Sequence, residues 1–208
     1  MGRLPLVTSA RPIVYSDLNC PFCFTLNEWL EQGGWGAEVR WVGVEHEPAI
    51  TLPPGRGAEA QALLDSEVAA VRGRAPEVGV VRPPMRPNTR LALSALELLT
   101  ARNREHARKL RGLLFRALWR EGIDISDRSA LAVLLSGFDV GLAELDQAAG
   151  AVAEHTATWR ARGWNRIPVI EAATGTTYMG LGERRLLEVF MGSALFDVDR
   201  GGSCEVSS

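Results

Sequence analysis

The amino-acid sequence predicts an α/β fold in which a large, all-helical insertion interrupts a small β-sheet. Three patterns support this prediction: a strand–helix–strand succession near the N-terminus, roughly 100 residues with helical periodicity in the middle, and two short strands followed by a helix near the C-terminus. The 208 residues are sufficient for one domain, or for a small fold that carries an insertion.

The first unit is a predicted βαβ motif. Residues 12–17 form a short β-branched and aromatic run that is typical of a buried strand. A helix is predicted over residues 20–32, with Pro21 in its first turn and Gly33-Gly34 at its end. A second strand is predicted over residues 37–45, and the short connection implies parallel strands with a right-handed crossover.

The middle of the chain predicts helices. A Pro- and Gly-rich loop is expected over residues 45–57, and helical periodicity then extends over residues 58–162. The segment from Leu142 to Trp159 predicts one long helix, and Ser126 or Asp127 is suited to cap the helix before it. Breaks between helices are predicted at residues 74–87, 122–127 and 137–141.

Strand signals return near the C-terminus. Residues 167–171 and 176–179 predict two strands, and residues 172–175 suit the hairpin loop between them. A last helix is expected after Gly182, because the following leucines have helical spacing. Residues 198–208 are rich in Gly and Ser and are expected to form a disordered tail.

Composition and charge argue against two classes of partner. Lysine and arginine total 23 against 25 aspartate and glutamate residues, a net charge of −2 that disfavours nucleic acid. The arginine-rich stretch from Arg102 to Arg120 is therefore expected to be a solvated helix face. No apolar run is long enough to span a membrane, and the stretch Leu4–Val7 is too short for a signal-peptide core. We expect a cytoplasmic protein with no membrane partner.

A Cys-Pro-Phe-Cys motif opens the first predicted helix. Cys20 falls at the N-cap, where unpaired N–H groups and the helix dipole favour a thiolate. Cysteines in such positions have pKa values of about 3.5–7.5, against about 8.5 for a free thiol. Cys23 lies on the same helical face, within reach of a disulfide. We expect Cys20 to be the exposed attacking nucleophile and Cys23 the buried resolving thiol.

Two structural interpretations of the cysteines stay open. A zinc site needs two further ligands at suitable spacing, and the remaining candidates are isolated in the sequence. These candidates are His46, His106, His155 and Cys204. Two cysteines can also pack as small hydrophobic residues. The redox pair is favoured because the motif lies at a strand–helix junction of a βαβ unit.

The segment Asp17-Leu18-Asn19-Cys20-Pro21-Phe22-Cys23, the helical insertion and Ile167-Pro168 at a hairpin together resemble the thioredoxin superfamily. More narrowly, the chain resembles the DsbA-like oxidoreductases of the FrnE type. Pro87-Asn88-Thr89 and residues 114–127 are also similar to these proteins, and the resemblance covers most of residues 12–195. It implies a thioredoxin-like domain formed by residues 12–56 and 160–197, with residues 57–159 as a helical insertion subdomain.

The resemblance implies further site residues beside the two cysteines. Pro168 would be a cis-proline facing the active-site disulfide, although sequence physics alone favours an edge-strand proline. The backbone of Ile167 would pair with a substrate strand, and Pro21 and Phe22 would support the motif. Asp17 would bias thiol protonation, or would simply end the strand in a turn.

The chain departs from the family in two places. A histidine that the family often has after Pro-Asn-Thr is replaced here by Leu93, which puts any role of that histidine in doubt. Cys204 has no counterpart, and we favour an inert remnant over a thiol that reaches the active site.

The sequence therefore predicts a cytoplasmic protein disulfide oxidoreductase. Its expected partners are a disulfide-containing protein or small molecule and a cellular thiol reductant. No metal or organic cofactor is expected, and glutathione stays open as a co-substrate. One alternative is a kappa-type glutathione transferase or a 2-hydroxychromene-2-carboxylate isomerase, which usually have serine at the position of Cys20. Another is a non-catalytic binding module with structural or metal-bound cysteines.

Overall fold

A computed structural model describes residues 11–47, 50 and 57–200, with side chains described as far as residue 195. The strands are β1 (Ile13–Ser16), β2 (Arg40–Gly43), β3 (Val169–Glu171) and β4 (Thr177–Met179). The α-helices of the described residues are α1 (Pro21–Gln32), α2 (Ala58–Arg74), α3 (Arg90–Arg102), α4 (Arg104–Trp119), α5 (Arg128–Leu135), α6 (Ala149–Ala161) and α7 (Arg184–Arg200).

The four strands form one mixed sheet in the order β2-β1-β3-β4. β1 and β2 are parallel, with Ile13 opposite Arg40, as the βαβ prediction requires. β3 runs antiparallel to β1 and to β4, so the predicted C-terminal hairpin is present. In parallel strands joined through a helix, the carboxyl ends meet at one edge of the sheet. Here that edge carries the β1–α1 loop and the loop after β2.

The insertion is helical as predicted, but two helix boundaries in it and one at the C-terminus differ from the expectation. Asn103 separates α3 from α4, because its side chain accepts a hydrogen bond from the His106 N–H and caps a new helix. The predicted long helix from Leu142 is a 3₁₀ helix over Leu142–Ala148 followed by α6. The last helix continues to Arg200, three residues beyond the expected ordered end at residue 197. Asp127 caps α5, as predicted.

The insertion packs on the βαβ unit through α1 and α4. Phe24 of α1 lies against Phe115 of α4, with ring centroids 6.0 Å apart, and Trp29 and Trp119 are fully buried in the same core. One continuous cluster of buried side chains therefore joins the sheet, α1 and the insertion. Among the described residues, no helix has the length and apolar character needed to cross a membrane.

The expectation that the stretch Arg102–Arg120 is a solvated face is wrong for Arg111. Its guanidinium is buried, bonds to Asn27 at 2.8 Å and to Glu31 at 2.8 Å, and stacks 4.2 Å from the Trp41 ring centre. Burial lowers the pKa of Arg111 to about 10. Arg108 and Arg116 on α4 also pair with Glu31 and Glu28 of α1, so this part of the stretch attaches α4 to α1. The sequence pattern missed this because the matching carboxylates lie some 80 residues earlier.

Candidate active site

The two cysteines lie at the junction between β1 and α1. Cys20 has extended backbone angles and acts as the N-cap residue, and Pro21 occupies the first turn. The Cys20 carbonyl accepts a hydrogen bond from the Phe24 N–H at 3.1 Å, and its own N–H donates to the Asp17 carbonyl at 3.3 Å. Both cysteines are free thiols. The predicted helix-terminal placement is therefore present.

The expectation that Cys20 is exposed is wrong. The residue is only 4% exposed, and Cys23 is completely buried. Helix periodicity does not predict this burial, because burial depends on tertiary packing.

The two thiols have opposite pKa shifts. Burial raises the pKa of the Cys20 thiol, but hydrogen bonds from Cys23 and the charge of His46 outweigh it and lower the pKa below its ordinary value. Burial, the hydrogen bond with Cys20 and the negative charge on Cys20 raise the pKa of the Cys23 thiol. Cys20 is thus the thiol that ionises first, which is the order that the motif predicts.

Asp17 is buried immediately before the motif and accepts three hydrogen bonds through its carboxylate. Its Oδ2 accepts from the His46 backbone N–H at 3.1 Å and lies 2.9 Å from His46 Nδ1. Its Oδ1 accepts from the Thr89 hydroxyl at 2.5 Å. Asp17 therefore joins the loop after β2, the start of α3 and the turn that leads to Cys20. This is more than the turn residue that the sequence left open.

His46 is the residue that the sequence analysis missed, because the sequence shows it as isolated. It lies in the loop after β2, and its Nε2 is 3.4 Å from the Glu47 carboxylate. Although burial disfavours the charged ring, hydrogen bonds to Asp17 and Glu47 raise the pKa of His46 to about 10. A signal was present: residues that follow parallel strands gather at one sheet edge, as His46 and Asp17 do.

The insertion holds the loop before Cys20 from several sides. The Trp119 indole donates to the Leu18 carbonyl at 2.8 Å in a buried contact. Asn19 donates through Nδ2 to the Pro87 carbonyl at 3.2 Å, and Arg86 donates to the Asn19 carbonyl at 2.9 Å. Each loop residue is thus fixed by a group from the insertion, which restrains the position of the Cys20 sulfur.

Arg86 brings a second buried cation to this side of the site. It is 8% exposed and bonds to the Glu67 carboxylate at 2.5 Å, while its Nε lies 3.6 Å from Glu47. Burial disfavours its charge, yet the pKa of Arg86 is raised by Glu67 and Glu47 and by Cys20. The charge on Glu67 acts against the Cys20 thiolate. Charges of both signs therefore surround the thiol.

Ile167 and Pro168 lie at the same sheet edge. Their peptide bond is cis, as the resemblance implies. Val169 pairs with Tyr15, so the register continued by one residue brings Pro168 beside Ser16. The Pro168 carbonyl accepts from the Gly180 N–H at 2.7 Å, and both Ile167 and Pro168 are buried.

The other predicted residues have less direct relations to the thiols. Phe22 is the partly exposed residue of the motif, and Leu93 is buried against Gly43 of β2. His106 is exposed, and His155 is partly buried with its Nδ1 3.7 Å from Glu97. Among the side chains that the structure describes, no group of His, Cys, Asp and Glu is arranged to hold a metal ion. Cys204 lies outside the described residues.

Comparisons with known proteins support the architecture. No protein-family model and no curated protein sequence matches the chain. The structure of a probable DsbA oxidoreductase from Streptomyces coelicolor matches with a TM-score of 0.67 and 16% identity, over 95% of this chain and 93% of that one. A 2-hydroxychromene-2-carboxylate isomerase matches with a TM-score of 0.70 and 17% identity, over 92% of this chain and 99% of the isomerase.

A third similar structure is the cytosolic disulfide reductase DsbM from Pseudomonas aeruginosa, solved with glutathione. It matches with a TM-score of 0.60 and 16% identity, over 89% of this chain and 99% of that one. The chain therefore has the DsbA-like thioredoxin fold with a helical insertion, which confirms the fold that its sequence predicts.

Proposed function

We propose that this chain is a thiol–disulfide oxidoreductase that acts through the Cys20–Cys23 dithiol. The observation that carries the proposal is the pair of thiols in the first turn of α1, one with a lowered and one with a raised pKa. Thiol–disulfide exchange uses this difference, because the thiolate attacks first and the protonated thiol stays in reserve. The similarity in fold to DsbA-like oxidoreductases supports the same class of enzyme.

The proposed reaction transfers two electrons from the dithiol to a substrate disulfide. The Cys20 thiolate attacks one substrate sulfur, which forms a mixed disulfide and releases the other sulfur as a thiolate that takes up a proton. Cys23 then loses its proton and attacks the Cys20 sulfur, which releases the second substrate thiol and leaves the Cys20–Cys23 disulfide. Two molecules of a cellular thiol reductant restore the dithiol and become a disulfide themselves.

Several neighbours of the thiols have proposed supporting roles. Pro168 and the backbone of Ile167 would face the incoming substrate strand, because they lie beside the end of β1. Pro21 fixes the first turn of α1, and Phe22 is the part of the motif that a substrate could touch. Asp17 would act on Cys20 through the residues that it binds.

The proposed setting is the cytoplasm, with a disulfide-containing protein or small molecule as substrate. The proposal requires no metal or organic cofactor, and glutathione is proposed as the thiol reductant. The direction of the reaction depends on the reduction potential of the dithiol against a glutathione pool at about −220 to −320 mV.

A glutathione-dependent isomerase or transferase is the second candidate, favoured by the similarity in fold to the 2-hydroxychromene-2-carboxylate isomerase. Such an enzyme would use one glutathione thiol and a small-molecule cleft. A cavity of about 340 Å³ lies between β2, α3 and α4, where Trp41, Leu96 and Arg104 are part of its lining. Its lining does not include Cys20, so it does not provide a cleft at the proposed reacting sulfur.

The test is the reduction of insulin disulfides with dithiothreitol as the terminal reductant. We expect the wild-type protein to accelerate the reaction, Cys20→Ser to abolish the acceleration, and Cys23→Ser to accumulate a mixed disulfide visible by intact mass. Cys204→Ser is the matched control and should retain the wild-type rate. A wild-type rate equal to dithiothreitol alone would contradict the proposal. Turnover that needs glutathione and Cys20 but not Cys23 would favour the isomerase or transferase.

A further inference from the structure

His46 links the two parallel strands at the edge where the thiols lie. The Asp17 carboxylate lies against both its backbone N–H and its ring Nδ1, at 3.1 Å and 2.9 Å. Because one carboxylate oxygen meets two nitrogens of the same residue, the ring cannot rotate away without loss of a buried contact. Glu47 lies 3.4 Å from the other ring nitrogen. The ring is therefore flanked by a carboxylate on each side.

This arrangement is connected to Cys20 through a single residue. The Asp17 carbonyl accepts the Cys20 N–H at 3.3 Å, while the Asp17 side chain binds His46. The charge of His46 lowers the pKa of Cys20, and Cys20 in turn raises the pKa of His46. The ring and the thiol are thus close enough for each to change the ionisation of the other.

We propose that His46 is a positioning residue that Asp17 and Glu47 keep positively charged beside Cys20, so that it stabilises the attacking thiolate and the reduced dithiol. This inference rests on the proposed thiol–disulfide function. It adds a residue that influences the ionisation of the nucleophile and the reduction potential of the dithiol. It also gives Asp17 a specific role. The carboxylate would act on the thiol by holding a cation, even though its own negative charge opposes a thiolate.

The other charged groups around the site do not replace this cation. Arg86 is positive and buried, but Glu67 binds its terminal nitrogen at 2.5 Å and Glu47 faces its Nε at 3.6 Å. Glu67 moreover raises the pKa of Cys20, so the Arg86–Glu67 pair brings its own opposing charge to the thiol. His46 lowers the pKa of Cys20 and Glu67 raises it, while Arg86 also interacts with Cys20 but carries Glu67 as its ion-pair partner.

Removal of the His46 charge should have two measurable consequences. A nearby opposite charge typically shifts an ionisation by about one to three pKa units, so the Cys20 pKa should rise by at least about one unit without it. The reduced form would lose the same stabilisation, because oxidation to a disulfide removes the thiolate. A tenfold change in the equilibrium with glutathione corresponds to about 30 mV for two electrons, and the potential should shift toward more reducing values.

The test is a thiolate titration of the reduced protein by absorbance at 240 nm and by the rate of iodoacetamide alkylation at each pH. His46→Gln keeps an amide that can donate to Asp17 but removes the charge, and His46→Lys restores a positive charge. His106→Gln, at an exposed position of α4, is the matched control. We expect the Cys20 pKa to rise in His46→Gln, to return toward the wild-type value in His46→Lys, and to stay unchanged in His106→Gln.

A second readout needs no variant at the histidine. NMR titration of the His46 ring in the wild-type protein should give a lower pKa after oxidation of the dithiol than before, because the negative sulfur has gone. Equal His46 values in the two redox states, or an unchanged Cys20 pKa in His46→Gln, would overturn the inference and leave His46 as a structural link between loops. A dithiol that titrates as described but never exchanges with a disulfide would overturn the proposed function instead.

Discussion

The two ends of α1 both carry buried charges, but they use them differently. At the amino end, His46 and Arg86 lie near a thiol whose ionisation they influence. Toward the carboxyl end, Asn27, Glu28 and Glu31 meet arginines of α4 and of its C-cap, including a contact of 2.8 Å from Arg111 to Glu31 and of 2.6 Å from Arg120 to Glu28. Each of these two arginines pairs with a carboxylate of α1.

Helix α1 has 12 residues; its carboxyl end is attached to the insertion by ion pairs, and its amino end carries the thiols. At the carboxyl end the charged groups pair with one another, so their loss should lower the stability of the fold without changing the pKa values of the thiols. At the amino end the buried charges face a group that gains and loses a proton, so their loss should change reactivity. Burial of a charge alone is thus insufficient to indicate a functional site. The informative observation is that the buried charge lies beside a group that gains and loses a proton.

The largest expected effect on stability is at Arg111. Its replacement, Arg111→Met, removes the partner of buried Asn27 and one of the two arginines that pair with partly exposed Glu31, and should lower the free energy of unfolding by about 3 kcal/mol. Urea denaturation measures this loss, and the thiolate titration of Cys20 should be unchanged. Arg116→Ala is the matched control, because that side chain is 42% exposed and its pair should contribute less than about 1 kcal/mol. A shifted Cys20 titration in Arg111→Met would break the separation between the two ends.

A smaller effect is expected at Trp119, which holds the site loop from the insertion. Trp119→Phe removes the donor to the buried Leu18 carbonyl and should cost about 2 kcal/mol of unfolding free energy. Trp35→Phe, at a half-buried residue after α1, should change stability by only about 0.5 kcal/mol. Chemical denaturation followed by circular dichroism compares the two. Equal losses would mean that the indole hydrogen bond does not secure the loop.

The third effect is a pH dependence at the amino end. The folded-state pKa of His46 is raised to about 10, above an unfolded value of about 6.5. A raised pKa gives stability that is fully present below pH 6.5 and is lost as the pH rises toward 10. In a Cys20→Ser background, where that thiol no longer titrates, the stability advantage of His46 over His46→Gln should fall by at least about 1 kcal/mol between pH 6 and pH 9.5. An advantage that is constant or increases with pH would contradict this ionisation.

The parts of the fold that follow from local pattern could be predicted from the sequence. The β-branched and aromatic run in residues 12–17, Pro21 in a helix's first turn and the hairpin loop at 172–175 all correspond to elements close to their predicted bounds. Asp127 caps its helix because the capping bond spans only three residues. These features depend on short stretches of chain, so a single sequence contains the information that determines them.

Features that depend on distant partners could not be predicted in the same way. His46 and Asp17 are 29 residues apart in the sequence, and Asp17 reaches His46 only because β1 and β2 end at the same edge. Arg111 has the spacing of a surface residue until α1 places Asn27 and Glu31 against it. The burial of Cys20 likewise depends on tertiary packing. Cys20 and Cys23 could be identified from the motif, whereas the groups that shift their pKa values are brought close only by the tertiary fold.

The central claim is that Cys20 and Cys23 form one redox couple, and equilibration with reduced and oxidised glutathione tests it most directly. Samples would be quenched with acid, alkylated and analysed by intact mass, for the wild-type protein and for Cys20→Ser. We predict a single two-electron transition that is confined to Cys20 and Cys23 and is lost in the variant. A lasting adduct with one glutathione, or thiols that never oxidise, would contradict the claim.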